Sequence, residues 1–168
     1  MSSYTTDRTW SDQFIPELRR VIGPYVLVPS SLEQDRREAS DLVVFQATRL
    51  TIACRVRRAG YSSRYPNQFT IRSKRTSGAK TELMKLIEGW GDWFFYGHAA
   101  ETTPTLTCWW LLNLAAWRAA LILDGRLPAD TRHIISGRQV NPDGATEFQW
   151  FDITSFPSAL VIAHSGLQ

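Results

Sequence analysis

Trp10, Phe14, Leu18 and the pair Val21/Ile22 recur every three to four residues. That interval lines one face of an α-helix, so residues 9–22 are predicted to form an amphipathic helix that Gly23-Pro24 ends. Thr9 and Asp12 stand at capping-box spacing at its start. Glu17 falls at the edge of the apolar stripe, where a carboxylate is either a rim residue or an inward-pointing functional acid. Residues 24–40 lose the pattern: Pro24, Pro29, Ser30-Ser31 and the run Glu33-Gln-Asp-Arg-Arg-Glu read as a connecting segment. The period then shortens. Asp41–Phe45 is a continuous apolar run led by an acid, Leu50–Arg58 alternates in its second half, and Gln68–Ser73 alternates after the loop Ala59–Asn67. All three are predicted strands, and alternation places Arg55 and Arg57 on one face.

Helical spacing returns after Ser77, where Ala79, Leu83, Leu86, Ile87 and Trp90 share a face that Gly89 and Gly91 close. Trp93–Gly97 reads as a short buried strand. Leu106–Leu114 reads as another, passing into a helix over Ala115–Leu123. Asn141-Pro-Asp-Gly is a turn, because Pro presets φ and Gly accepts positive φ. It joins Ile134–Val140 to Thr146–Ile153 as a hairpin. Ala159–Ala163 is either an edge strand or a short helix. Helix, three strands, helix, strand and further mixed elements describe a single α/β domain over residues 1–168.

Composition adds little to this. A chain of 168 residues with 43% hydrophobic and 21% charged residues fits one core, without repeats or a linker. Seven Trp supply large apolar faces, and some of these could stack on a ligand. The polar start Met-Ser-Ser-Tyr-Thr-Thr-Asp lacks a signal-peptide core, and the apolar stretch Cys108–Leu123 is interrupted by Asn113 and Arg118. No membrane span is expected. Cys54 and Cys108 sit in apolar runs and read as reduced, buried thiols, which suits a cytoplasmic protein.

Charge changes the picture more. Between Asp41 and Glu82 there is no acidic residue but nine basic ones: Arg49, Arg55, Arg57, Arg58, Arg64, Arg72, Lys74, Arg75 and Lys80. Seven acids face five arginines before that window, and nine acids face five bases after it, so the formal +3 hides a strongly cationic centre. Clustered guanidiniums attract phosphate or carboxylate and bind either in a bidentate fork. The plainer reading is a solvated Arg-rich surface.

Local motifs are weaker. Gly78-Ala-Lys80-Thr81 departs from a phosphate loop, since Ala79 separates Gly from Lys. What remains is an anion site at a helix start flanked by Lys74, Arg75 and Lys80, or simply a helix cap. His98, His133 and His164 show no metal-ligand spacing. Glu88 and Asp92 bracket Gly89-Trp-Gly91 as a helix end. Asp41 heading one strand, with Arg55-Val56-Arg57 on the next, has the layout of a metal-dependent phosphodiesterase core.

The element order resembles the PD-(D/E)XK nuclease superfamily, whose core is a helix, a three-strand meander, a helix and a fourth strand. On that resemblance Asp41 takes the place of the first acid, Cys54-Arg55-Val56-Arg57 that of the hydrophobic-acid-hydrophobic-Lys strand, and Glu17 that of the acid some members place on the first helix. Arg55 thus stands where the second carboxylate belongs. Segments across residues 8–100, including Ser11–Glu17, Arg49–Arg58, Phe69–Ser73 and Ser77–Gly97, also look like an uncharacterised family of phage and integrative-element proteins. Three functions follow as expectations. The first is a divergent endonuclease with Mg²⁺ on Asp41 and on Glu17 or Glu82, Arg57 and Lys80 at the scissile phosphate, and Arg55 and Arg72 positioning the strand. The second is a catalytically dead binder of DNA or RNA. It would use Arg49, Arg55, Arg57, Arg58, Arg64, Arg72, Lys74, Arg75 and Lys80 on phosphates, with Tyr61, Tyr65 or Trp93 stacking. The third is an inhibitor of a host defence protein complex, acting through the same arginines.

Overall fold

The computed structural model describes residues 9–10, 12–29, 42–44, 50–75, 78, 80–102, 104–141 and 144–165. Its elements are α1 (Ile15–Val26), β1 (Leu27–Pro29), β2 (Leu42–Val44), β3 (Ile52–Arg57), β4 (Gln68–Arg75), α2 (Glu82–Ile87), β5 (Trp93–Ala99), β6 (Leu106–Asn113), α3 (Leu114–Gly125), β7 (Ser136–Val140), β8 (Thr146–Asp152) and β9 (Val161–His164). Among the described residues they form a four-stranded sheet ordered β3-β5-β6-β9, a three-stranded sheet β4-β8-β7 and a ribbon β1-β2. β3 runs parallel to β5, and every other pairing is antiparallel.

β5 and β6 lie at the centre because both carry large apolar side chains in consecutive positions, which leaves neither face of the sheet fit for water. Phe94, Tyr96, Trp110 and Leu112 point to one side, where they pack with Phe69 and Ile71 of β4, Phe151 of β8 and Trp117 of α3. Phe95, Ala99, Trp109 and Leu111 point to the other, against Phe14 and against Leu18, Val21 and Ile22 of α1. Fully burying one such side chain contributes about 1.5–3 kcal/mol. The two apolar layers thus clamp the four-stranded sheet between α1 and the three-stranded sheet with α3.

Several expectations are met. β6 passes into α3 at Asn113, whose side chain caps the helix by accepting from the N–H groups of Ala115 (3.0 Å) and Ala116 (3.2 Å). β7 and β8 form the predicted hairpin, closed by the Asn141 N–H donating to the Thr146 carbonyl at 2.9 Å. The last segment resolves as β9, an edge strand paired with β6. No helix among the described residues is long and apolar enough to cross a membrane.

Others need correction. Helix α1 runs through Gly23 and Pro24 to Val26. Pro24 forfeits one helical hydrogen bond, but the apolar seat of Leu18, Val21 and Ile22 holds the helix on the sheet. Among the described residues the three-strand meander does not form. Its members lie in three different sheets, β2 with β1, β3 with β5 and β4 with β8. The turn-rich stretch between β3 and β4 lets the chain leave the first sheet, and Phe69 and Ile71 then roof the core from the second. The helix expected from Ser77 is confined to Glu82–Ile87, capped by Thr81, whose Oγ1 accepts from the Met84 N–H at 3.2 Å. Ile87 and Trp90, placed on the shared helical face, are 56% and 67% exposed; Trp90 lies past the end of α2, between Gly89 at φ 100° and Gly91 at φ 77°, which turn the chain away. Both cysteines are free, but Cys54 is exposed and Cys108 half-buried. Cys54 sits on an edge strand beside an open groove shared with Ile15, Leu18 and Ile22 of α1. It touches solvent, yet the protein around it pushes its thiol up to about 11.

Candidate functional site

β3 is an edge strand of its sheet, and β4 leads the neighbouring one. Between these two edges opens a cleft of about 340 Å³ whose walls carry Arg55, Arg57, Arg58 and Arg72. Alternation along β3 sends Arg55 and Arg57 the same way, as predicted, and Arg58 follows where the strand ends. Arg72 comes from β4, directly across the ladder from Phe148 of β8.

The guanidiniums lie over aromatic rings. Arg57 sits 4.3 Å from the Tyr61 ring centre, Arg58 4.6 Å from that of Trp10, and Arg55 and Arg72 5.1 and 5.7 Å from that of Phe148. Each contact contributes about 0.5–1 kcal/mol. The rings also hold flat side chains that would otherwise sample many rotamers, and a guanidinium stacked by its face keeps its N–H edge for a ligand.

Among the described residues, Glu82 is the carboxylate of this cleft. It forms an ion pair with Arg55 and accepts the backbone N–H of Arg72 at 3.2 Å. It opens α2 immediately after β4, which brings it back over the strand. Among the described residues, one carboxylate against four guanidiniums leaves the cleft cationic. No carboxylate among the described residues pairs with Arg57 or Arg58; Arg57 donates weakly to Thr70 Oγ1 at 3.4 Å.

The other residues singled out from sequence scatter. Asp41 and Arg49 lie outside the described residues. Glu17 is not in the cleft: Arg20 grips it through both oxygens, at 2.8 and 2.7 Å, and the hydrogen bonds hold its carboxyl below the usual range. Lys80, expected at the scissile phosphate, is exposed and paired with Glu88 at 2.8 Å. The anion site at the start of α2 is accordingly replaced by a Thr81 cap on a six-residue helix. Arg64 and Lys74 are exposed, Arg75 is half-buried at the far end of β4, and none of the three lines the cleft. Trp93 is half-buried, packs against the α1 side of the core and lines neither the cleft nor its neighbouring crevice. Asp92 ties the end of the α2 turn to β3 by accepting from Thr51 N–H (2.7 Å) and Oγ1 (2.8 Å), bonds that lower its pKa.

Neither described carboxylate of the proposed set fits Mg²⁺. Glu17 and Glu82, the two proposed partners of Asp41, are each engaged by a different arginine, and the Arg55 charge beside Glu82 opposes a dication. Among the described residues no three His, Cys, Asp or Glu side chains gather into a metal-binding group.

Arg57 and Tyr61 also line a second, narrower crevice, with Tyr65, Gln68, Thr70, Tyr96, His98, Gln139 and Trp150. His98 is 1% exposed and neither ring nitrogen has a hydrogen-bond partner. Burial, and then the nearby Arg57 charge, push it down to about 4. The Tyr96 hydroxyl meets Thr70 Oγ1 at 3.2 Å, and burial raises its pKa. Sequence spacing gave none of Trp10, Phe148 or His98 a place in the site, nor Glu82 its pairing with Arg55. The one usable signal is alternation in β8, which sets Phe148 and Trp150 on one face. Compared with known protein families, curated proteins and solved structures, the chain matches none.

Proposed function

We propose that the chain binds the phosphate backbone of a nucleic acid in the cleft between β3 and β4. The observation that carries this reading is the convergence of four guanidiniums, seated on three aromatic rings, around Glu82, a carboxylate already neutralised by Arg55. Planar, permanently charged forks held at fixed spacing suit phosphate oxygens. Binding by charge neutralisation needs no metal, in keeping with carboxylates that are spoken for by arginines.

The test is fluorescence anisotropy of labelled DNA and RNA strands in EDTA across a salt series, comparing wild type with Arg57→Ala and Arg58→Ala. Binding should persist in EDTA and weaken steeply with salt. Each substitution should flatten the log–log slope by roughly 0.7, the increment for one phosphate contact on a single strand. Binding indifferent to salt, or unchanged in the double variant, would end this reading. Mg²⁺-dependent cutting by wild type would return the molecule to the nucleases. Tight salt-sensitive capture of an acidic protein, with nucleic acid ignored, would favour the host-protein inhibitor.

A further inference from the structure

We infer that the nucleic acid is single-stranded and that one unpaired base is seated in the crevice beside Arg57, between Tyr61, Tyr65 and Trp150. The inference rests on the phosphate-binding reading of the neighbouring cleft and adds the part of the ligand that the arginines do not address. Arg57 and Tyr61 border both the cleft and the crevice. A nucleotide with its phosphate on the arginines therefore has its base within reach of the crevice.

The walls suit a flat heteroaromatic ring. Arg57, Tyr61 and Tyr65 form a column, with the guanidinium 4.3 Å from the first ring centre and the two rings 6.5 Å apart at 27°. Trp150 faces them from β8. It lies flat because its ladder partner is Gly137: a Cβ at that position would come within 2.6 Å of the indole. The floor suits a base edge. His98, buried with both nitrogens unpartnered, offers one donor and one acceptor as a neutral imidazole. Gln68 and Gln139 add amides at the rim, the group that pairs bidentately with base edges elsewhere. An orphaned buried imidazole is costly unless something binds it. The crevice has about 20 Å³ of free room as it stands, enough for one water. Seating a base requires Tyr61 and Tyr65 to swing outward; they are 40% and 42% exposed and lie on the turn between β3 and β4. A duplex keeps its bases paired and stacked, so it has none to offer.

The experiment compares a mixed-sequence single strand, the same strand with every base removed, and its duplex, by anisotropy at one salt concentration. Wild type should prefer the intact single strand by about tenfold or more over both others, in line with the contribution of one stacked base. Tyr65→Ala, at an exposed position, should fold normally by circular dichroism and erase most of that preference without changing the salt slope. His98→Gln, which keeps a donor and an acceptor, should change which base is preferred while leaving binding of the base-free strand intact. Equal binding of all three ligands, with Arg57→Ala still weakening each, would overturn the base seat and leave the phosphate cleft standing. Loss of effect at Arg57 as well would remove both.

Discussion

The cationic centre of the sequence separates on folding into two groups with different surroundings. Arg55, Arg57, Arg58 and Arg72 stand in a concave cleft, each over an aromatic ring. Arg64, Lys74 and Lys80 stand on open surface, and Lys80 is answered by Glu88. Formal charge is the same in both groups. What differs is the loss of freedom a ligand must impose: the first group is already held by its rings, whereas the second must be ordered at the moment of contact. Charge density in a sequence therefore marks a region, and aromatic support within the fold marks the part of it able to recognise something.

That contrast breaks most sharply if both groups are removed in turn. Arg57→Ala with Arg58→Ala should cost at least about tenfold in single-strand affinity at moderate salt, whereas Arg64→Ala with Lys80→Ala should stay within roughly twofold. Equal losses in the two double variants, measured by anisotropy, would show that the cleft has no privilege over the surface. A smaller effect of opposite sign is expected from Glu82→Gln. Freeing Arg55 should tighten binding roughly fivefold and steepen the salt slope, at about 1 kcal/mol in stability for the lost ion pair. Weaker binding there would mean that Glu82 organises Arg55 and Arg72 rather than competing with the ligand. The smallest change sharpens the role of the rings: Phe148→Leu keeps apolar bulk but removes the π face, and should weaken binding by roughly threefold. No change in titrations of that variant would reduce the ring contacts to packing.

Much of the local structure could be read from the order of residues. Leu106 to Leu112 is apolar but for Thr107 and is followed by Asn113, a side chain able to cap, so the strand-to-helix junction was legible within a residue. The Asn141–Gly144 turn announced its hairpin, and alternation put Arg55 and Arg57 together. What failed was non-local. Nothing between Ile52 and Arg57 says that the strand will lie parallel to β5 rather than beside β4, because strand choice depends on which apolar faces remain uncovered. The same holds within the site. Trp10 beneath Arg58, Phe148 beneath Arg55 and Glu82 clasping Arg55 are tertiary pairings without a spacing rule. Trp90 misled for the opposite reason, since it lies past the end of α2 and a helical period predicts burial only while the helix continues.

Phe148 also sets an order of events during synthesis. The arginines of β3 and β4 leave the ribosome well before β8, so a growing chain carries its positive charge before it has the ring that shapes the cleft. On the proposed reading, a chain halted before Thr146 would hold a polyanion with little discrimination. Closure of the β4–β8 ladder completes the cleft, so on the proposed reading selectivity is acquired late in synthesis.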